Sequence, residues 1–140
     1  MLSELRSVQA FWQTIWKKTI LDLAPGQVVI QVTDLCNARC PQCAMRKTEK
    51  FNRATLPRED IFDIIDAAGQ KGVKAISFTG GEPFLMLEDL MACLKRAGDK
   101  KLPFIRTGTN GFFFARSHKP GFTDRVARLA EKLSQTRVRN

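Results

Sequence analysis

Three cysteines lie close together in this sequence: Cys36, Cys40 and Cys43, with the spacing C-x3-C-x2-C. Thiolate sulfur is a ligand for zinc and for iron–sulfur clusters. A structural zinc ion normally has four protein ligands, and a four-iron cluster normally has four thiolates. Three protein ligands would therefore leave one metal position open, and an open position is where a metal centre can do chemistry.

The sequence offers two other residues as a fourth ligand. Cys93 falls beside the apolar stripe of a predicted helix, which is typical of a small buried side chain. His118, the single histidine, lies in a polar loop between cationic residues, where a histidine is normally solvated. A Cys3His zinc site that uses His118 remains an alternative, but nothing in the spacing favours it.

Two further motifs contain residues suited to ligand binding. In the first, Gly80 and Gly81 would let a ligand approach the backbone closely, and Glu82 would present a carboxylate suited to an ammonium group. The second is a turn sequence, Thr109-Asn110-Gly111, that carries a side-chain amide. Taken alone, each motif is more typical of a structural turn than of a binding site.

The elements that carry these motifs alternate between strands and helices. An amphipathic helix is predicted over residues 3–23, followed by strands at about 27–33, 75–78 and 103–106. A helix follows each strand: one begins at Thr55 or Pro57 and stops at Gly72, and the others cover about 87–98 and 123–134. This pattern predicts an α/β fold with a parallel sheet, in which an N-terminal helix (1–26) precedes three βα units (27–140).

Helical spacing also predicts which residues of the helices are buried. The predicted inward positions are Ile61, Ile64, Ile65 and Ala68, then Leu87, Leu90, Met91 and Leu94, and finally Val126, Leu129, Ala130 and Leu133. Each of the three motifs directly follows a predicted strand. Because the carboxyl ends of parallel strands meet at one edge of a sheet, we expect the three motifs to share one rim.

This combination of motifs, over about residues 27–111, resembles the radical S-adenosylmethionine (radical SAM) superfamily, most closely its members that modify peptides or assemble cofactors. The resemblance implies a [4Fe-4S] cluster bound by the three cysteines, with S-adenosylmethionine on the fourth iron. Reductive cleavage would give a 5′-deoxyadenosyl radical that abstracts hydrogen from a substrate that the sequence does not identify. By position, Gly80, Gly81 and Glu82 match the motif that contacts the amino group of the methionine part, and Asn110 lies on the same rim.

The sequence departs from the family pattern in two places. Members of the family usually have an aromatic residue before the third cysteine, next to the adenine, and Gln42 stands there. Their core is a partial, TIM-like barrel of six βα units, and three are predicted in this sequence. We therefore expect a truncated barrel, as a fragment or as one part of a split enzyme that a second chain completes.

Charge and composition bear on partners and location. The net charge is +9, and residues 101–140 contain nine Lys or Arg residues against Asp124 and Glu131. Few aromatic residues lie between these charges, so a solvated basic surface is favoured over a nucleic-acid site. No signal peptide and no apolar run long enough to span a membrane is evident, and clustered cysteines then indicate a metal site in the reducing cytoplasm.

Three functions remain open on this reading. The first is a radical SAM enzyme, for which the resemblance implies reduced flavodoxin or ferredoxin as the electron donor. The second is a non-catalytic iron–sulfur fragment or electron-transfer module. The third is a basic interaction protein with a structural zinc ion, which the identity of the bound metal would distinguish from the other two.

Overall fold

The computed structural model describes residues 25–44, 52–115 and 117–138 of the chain. These residues form three strands and three α-helices in alternation: β1 (Gln27–Thr33), α1 (Arg58–Gln70), β2 (Ala75–Gly80), α2 (Leu87–Asp99), β3 (Phe104–Thr107) and α3 (Phe122–Ser134). Two short 3-10 turns, Pro83–Met86 and Phe112–Phe114, follow β2 and β3. The predicted βα alternation is confirmed. The helix predicted over residues 3–23 lies outside the described residues.

The three strands form one parallel sheet in the order β1-β2-β3. Ile30 of β1 lies opposite Phe78 of β2, and Ile76 of β2 lies opposite Ile105 of β3. The register shifts at the carboxyl end of β1, where Thr33 pairs with Gly80. The predicted α/β class is therefore confirmed, in the form of an open three-stranded sheet within the described part of the chain.

One face of the sheet packs against α1 and α2 and forms the core. Its buried residues are Ile30, Val32, Ile76, Phe78 and Ile105 from the strands, Ile61, Ile65 and Ala68 from α1, and Leu90, Cys93, Leu94 and Ala97 from α2. Strand side chains alternate between faces, so Gln27, Val29 and Gln31 lie on the opposite face. These three residues are exposed, and Val29 retains 60% of its accessible surface. Among the described residues, the helices thus cover one face of the sheet only.

An ionic network joins α1 to α2 at the edge of this core. Asp66 accepts two hydrogen bonds from Arg96, at 2.9 and 2.7 Å, and pairs with Lys100 at 2.8 Å. The hydrogen bonds from Arg96, then the contact with Lys100, hold the pKa of the Asp66 carboxyl at about 2. The Arg96 guanidinium also lies 5.2 Å from the ring centroid of Phe62. These contacts join the two helices that cover the sheet.

The structure corrects several predicted boundaries: β2 ends at Gly80 and not at residue 78, and β3 covers Phe104–Thr107 and not 103–106. The sequence allows α1 to begin at Thr55 or Pro57, but the helix begins at Arg58, with Pro57 at its N-cap. Thr55 instead forms an antiparallel bridge with Thr33, which draws the residues before the helix onto the end of β1. None of the helices in the described part of the chain combines the length and hydropathy that crossing a bilayer requires.

Candidate functional site

The carboxyl ends of the three strands bring the predicted motifs together at one rim, as expected. The side-chain amide of Asn110 donates a hydrogen bond to Asn37 Oδ1 at 2.8 Å and approaches Cys36 Sγ at 3.7 Å. The Asn110 backbone N–H donates to Glu82 Oε2 at 2.6 Å. Glu82 N–H in turn donates to the carbonyl of Leu35 at 2.8 Å. Asn110 therefore links the Gly-Gly-Glu turn to the cysteine loop, by which we mean the segment between β1 and Thr55 that contains Cys36, Cys40 and Cys43.

Glu82 is the buried acidic residue of this rim, with only 2% of its surface accessible. Its two carboxylate oxygens accept from different backbone groups: Oε1 from Phe84 N–H at 2.9 Å and Oε2 from Asn110 N–H at 2.6 Å. Charge-assisted bonds of this kind are among the stronger hydrogen bonds in proteins. The side chain thus holds the turn after β2 against the turn after β3, and its contact with an ammonium group stays a prediction.

Gly80 and Gly81 permit a close approach of two backbone segments. A Cβ atom on Gly81 would lie 2.1 Å from the carbonyl oxygen of Leu35, and one on Gly80 would lie 2.3 Å from that of Thr33. Gly80 also has a φ of +139°, which side chains disfavour. In the structure the atoms beside these glycines belong to the backbone leading into the cysteine loop. The predicted approach of a ligand remains untested.

Hydrogen bonds close the cysteine loop at its base. Thr33 Oγ1, which is buried, lies 2.7 Å from Thr55 Oγ1 and accepts from Leu35 N–H at 3.1 Å. Asp34 N–H donates to the Ala54 carbonyl at 2.8 Å, and the Asp34 carboxylate accepts from Ala54 N–H at 3.3 Å. Thr33 and Thr55 were not among the residues predicted for the site. The only feature of the sequence that points to them is a threonine at each end of the cysteine loop.

The three cysteines are free thiols near the surface, with Cys36 and Cys40 exposed and Cys43 half-buried. Cys36 Sγ accepts from Ala38 N–H at 3.4 Å, and Cys43 N–H donates to the Cys40 carbonyl at 3.1 Å. No group of three His, Cys, Asp or Glu side chains in residues 25–44, 52–115 and 117–138 is arranged to hold a metal ion. The donor set fits an iron–sulfur cluster chemically, because three accessible thiols share one short loop.

The other two candidate ligands, Cys93 and His118, belong to other elements of the fold than the three cysteines. Cys93 is buried in α2, and burial raises the pKa of its thiol to about 11. A thiol in that state is a poor metal ligand, since the thiolate is the species that coordinates. His118 is exposed in the turn before α3. The structure therefore supports the reading of Cys93 as a core side chain.

Comparison with known proteins decides the family. The sequence profile of the radical SAM superfamily matches residues 30–139, which include the cysteine loop and the turns after β2 and β3. This chain belongs to the radical SAM superfamily. The superfamily assignment made from the motifs is thus confirmed.

Curated relatives match between 64% and 78% of this chain. A GTP 3′,8-cyclase of Helicobacter pylori (strain HPAG1) is 33% identical over 116 residues, 78% of this chain and 36% of the relative. The GTP 3′,8-cyclase of Ectopseudomonas mendocina (strain ymp) is 34% identical over 103 residues, 71% of this chain and 30% of the relative. The GTP 3′,8-cyclase of Aliarcobacter butzleri (strain RM4018) is 34% identical over 93 residues, 64% of this chain and 28% of the relative. The chain spans about a third of the length of these relatives.

Proposed function

We propose that this chain binds a [4Fe-4S] cluster through Cys36, Cys40 and Cys43 and takes part in the reductive cleavage of S-adenosylmethionine. The observation that supports this most is the shared rim, where Asn110 contacts both the cysteine loop and Glu82. Membership of the radical SAM superfamily supports it independently. When bound, such a cluster supplies the electron that breaks the sulfonium carbon–sulfur bond, giving methionine and a 5′-deoxyadenosyl radical that abstracts hydrogen from the substrate.

The residues of the chain have distinct proposed roles in this reaction. The three thiols, as thiolates, supply three ligands, and the fourth iron remains open for the amino and carboxylate groups of S-adenosylmethionine. Gly80, Gly81 and Glu82 are proposed to lie against that amino group. An ionised carboxylate has about four acceptor positions, so Glu82 keeps capacity beyond the two backbone N–H groups that it already accepts.

The partners also belong to this proposal. Reduced flavodoxin or ferredoxin is the expected electron donor, and a second polypeptide is expected to complete the barrel. On the helix-free face of the sheet, Val29 and Phe104 expose 60% and 52% of their surface. Large exposed apolar side chains on one face are typical of a surface that another element covers. We further expect the protein to be cytoplasmic, where clustered thiols stay reduced.

Turnover of S-adenosylmethionine tests the proposal. We expect the anaerobically reconstituted, chemically reduced chain to produce 5′-deoxyadenosine, and the Cys40→Ala variant to produce none, because two thiolates do not hold the cluster. The product is measured by chromatography against a 5′-deoxyadenosine standard. Cys93→Ala is the matched control, since it removes a thiol outside the loop, and it should retain the activity.

A second function would give a different result in the same assay. A non-catalytic iron–sulfur or electron-transfer module would contain the cluster and produce no 5′-deoxyadenosine. Wild-type protein with a full cluster and no product would contradict the catalytic proposal and support the module.

A further inference from the structure

A pocket lies beside the cysteine loop, between the turn after β3 and the start of α3. Its volume is about 620 Å³, within the range of small-molecule sites. Its lining residues are Asn37, Phe112, Phe113, Ala115, Lys119 and Arg125. Two of them are cations, two are phenylalanines, and none is acidic. Asn37 connects the pocket to the rim, because its side chain accepts the hydrogen bond from Asn110.

The cation of Arg125 is held in place by aromatic rings. Its guanidinium lies 5.8 Å from the ring centroid of Phe113 and 5.3 Å from that of Phe122. Phe113 is itself fixed by edge-to-face packing on Phe84, with centroids 6.1 Å apart, and Phe84 packs against the core. A guanidinium positioned in this way loses little freedom when it binds an anion. The Arg125 guanidinium is therefore preorganised to bind an anion such as a phosphate group.

The second feature of the pocket is an exposed aromatic surface. Phe112 keeps 53% of its surface accessible in the 3-10 turn that follows β3. Its backbone N–H donates to Asn110 Oδ1 at 2.9 Å, which fixes the residue at the edge of the rim. A planar ring of a ligand can stack on such a side chain, as bases do in nucleic-acid sites.

We propose that this pocket binds a phosphorylated compound with a planar ring. The phosphate lies between Arg125 and Lys119, and the ring stacks on Phe112. Neither contact involves a cysteine, so binding does not require the iron–sulfur cluster. The site can therefore be tested on cluster-free protein, and its failure would leave the proposed cleavage of S-adenosylmethionine unaffected.

The test is calorimetric titration of the cluster-free 140-residue chain with 1-naphthyl phosphate. We expect saturable binding at one site, weakened about tenfold by Arg125→Gln and by Phe112→Ala, the scale of one charge-assisted bond or one stacked ring. Arg128→Gln removes the same charge from an exposed position on the same helix, and Phe104→Ala removes an equally exposed ring at the opposite end of β3. Both controls should bind like the wild type.

Three outcomes would overturn the proposal. The first is the absence of a saturable heat signal with the wild type. The second is that Arg125→Gln and Arg128→Gln weaken the binding of 1-naphthyl phosphate equally. The third is that inorganic phosphate or 1-naphthol binds as tightly as 1-naphthyl phosphate. The second would show general attraction to a basic surface, and the third would show that ring and anion are not recognised together. If circular dichroism shows that Arg125→Gln does not fold, Lys119→Gln, an exposed loop substitution, decides the charge contribution.

Discussion

Replacement of Gly81 by alanine is expected to lower the free energy of unfolding by about 3 kcal/mol, at the upper end of typical overpacking penalties. The added Cβ would lie 2.1 Å from the carbonyl oxygen of Leu35, 2.6 Å from its carbon and 2.9 Å from the carbonyl oxygen of Asp34. All three atoms are backbone, so no side-chain rotation relieves the contact. The turn after β2 and the start of the cysteine loop must separate. Urea-induced unfolding of the cluster-free chain measures the loss.

Gly108→Ala provides the control for the Gly81 substitution. Gly108 follows β3 at the same rim, and a Cβ atom there would have no neighbour within 4 Å. The two variants differ from the wild type by the same methyl group, so a general effect of alanine on the unfolded chain cancels between them. Equal stability of Gly81→Ala and Gly108→Ala would show that the close approach at Gly81 is not maintained in solution.

Removal of the Glu82 carboxylate is expected to have a comparable effect. In Glu82→Ala the N–H groups of Phe84 and Asn110 lose their acceptor in a part-buried site, and an N–H group left without an acceptor costs roughly 1–3 kcal/mol. We expect a loss of about 3 kcal/mol and faster hydrogen exchange at the Asn110 amide, because the turn after β3 is no longer tied to β2. Chemical unfolding and amide exchange measure the two effects.

Glu82→Gln separates hydrogen bonding from packing at this position. Glutamine keeps the volume and one acceptor oxygen, but its amide nitrogen can only donate, so one of the two N–H groups is left without an acceptor. The loss of stability should be intermediate between wild type and Glu82→Ala. If Glu82→Gln matched the wild type in both stability and exchange, the carboxylate would not be the link between the two turns.

The sequence predicted the fold well where hydrophobic periodicity is strong. The bounds of β1 were predicted as the structure has them, and α1, α2 and α3 were predicted to within a few residues. Burial along the helices was predicted less well, because periodicity does not show how far a neighbouring element reaches. Ile64 is 38% exposed and Ala130 is exposed, although both fall on predicted inward stripes.

The location of the candidate site was also predictable, since parallel strands place their carboxyl ends together. Its internal contacts were not. The approach of Gly81 to the Leu35 carbonyl joins residues 46 positions apart, and the bond from Asn110 to Glu82 joins residues 28 positions apart. The first contact also depends on the register of β1 and β2 at Thr33. Such contacts follow from tertiary packing and leave no local pattern. The same holds for the hydrogen bond between Thr33 and Thr55 that closes the cysteine loop.

The most direct test of the central claim is the metal content of the anaerobically reconstituted chain, together with the electron paramagnetic resonance spectrum of its reduced form with and without S-adenosylmethionine. Three cysteine ligands and an open iron predict about four iron and four sulfide per chain and a spectrum that changes when S-adenosylmethionine is added. Ala substitution of Cys36, Cys40 or Cys43 should abolish the cluster, whereas Cys93→Ala should retain it. Zinc in place of iron, or a spectrum that S-adenosylmethionine leaves unchanged, would contradict the claim.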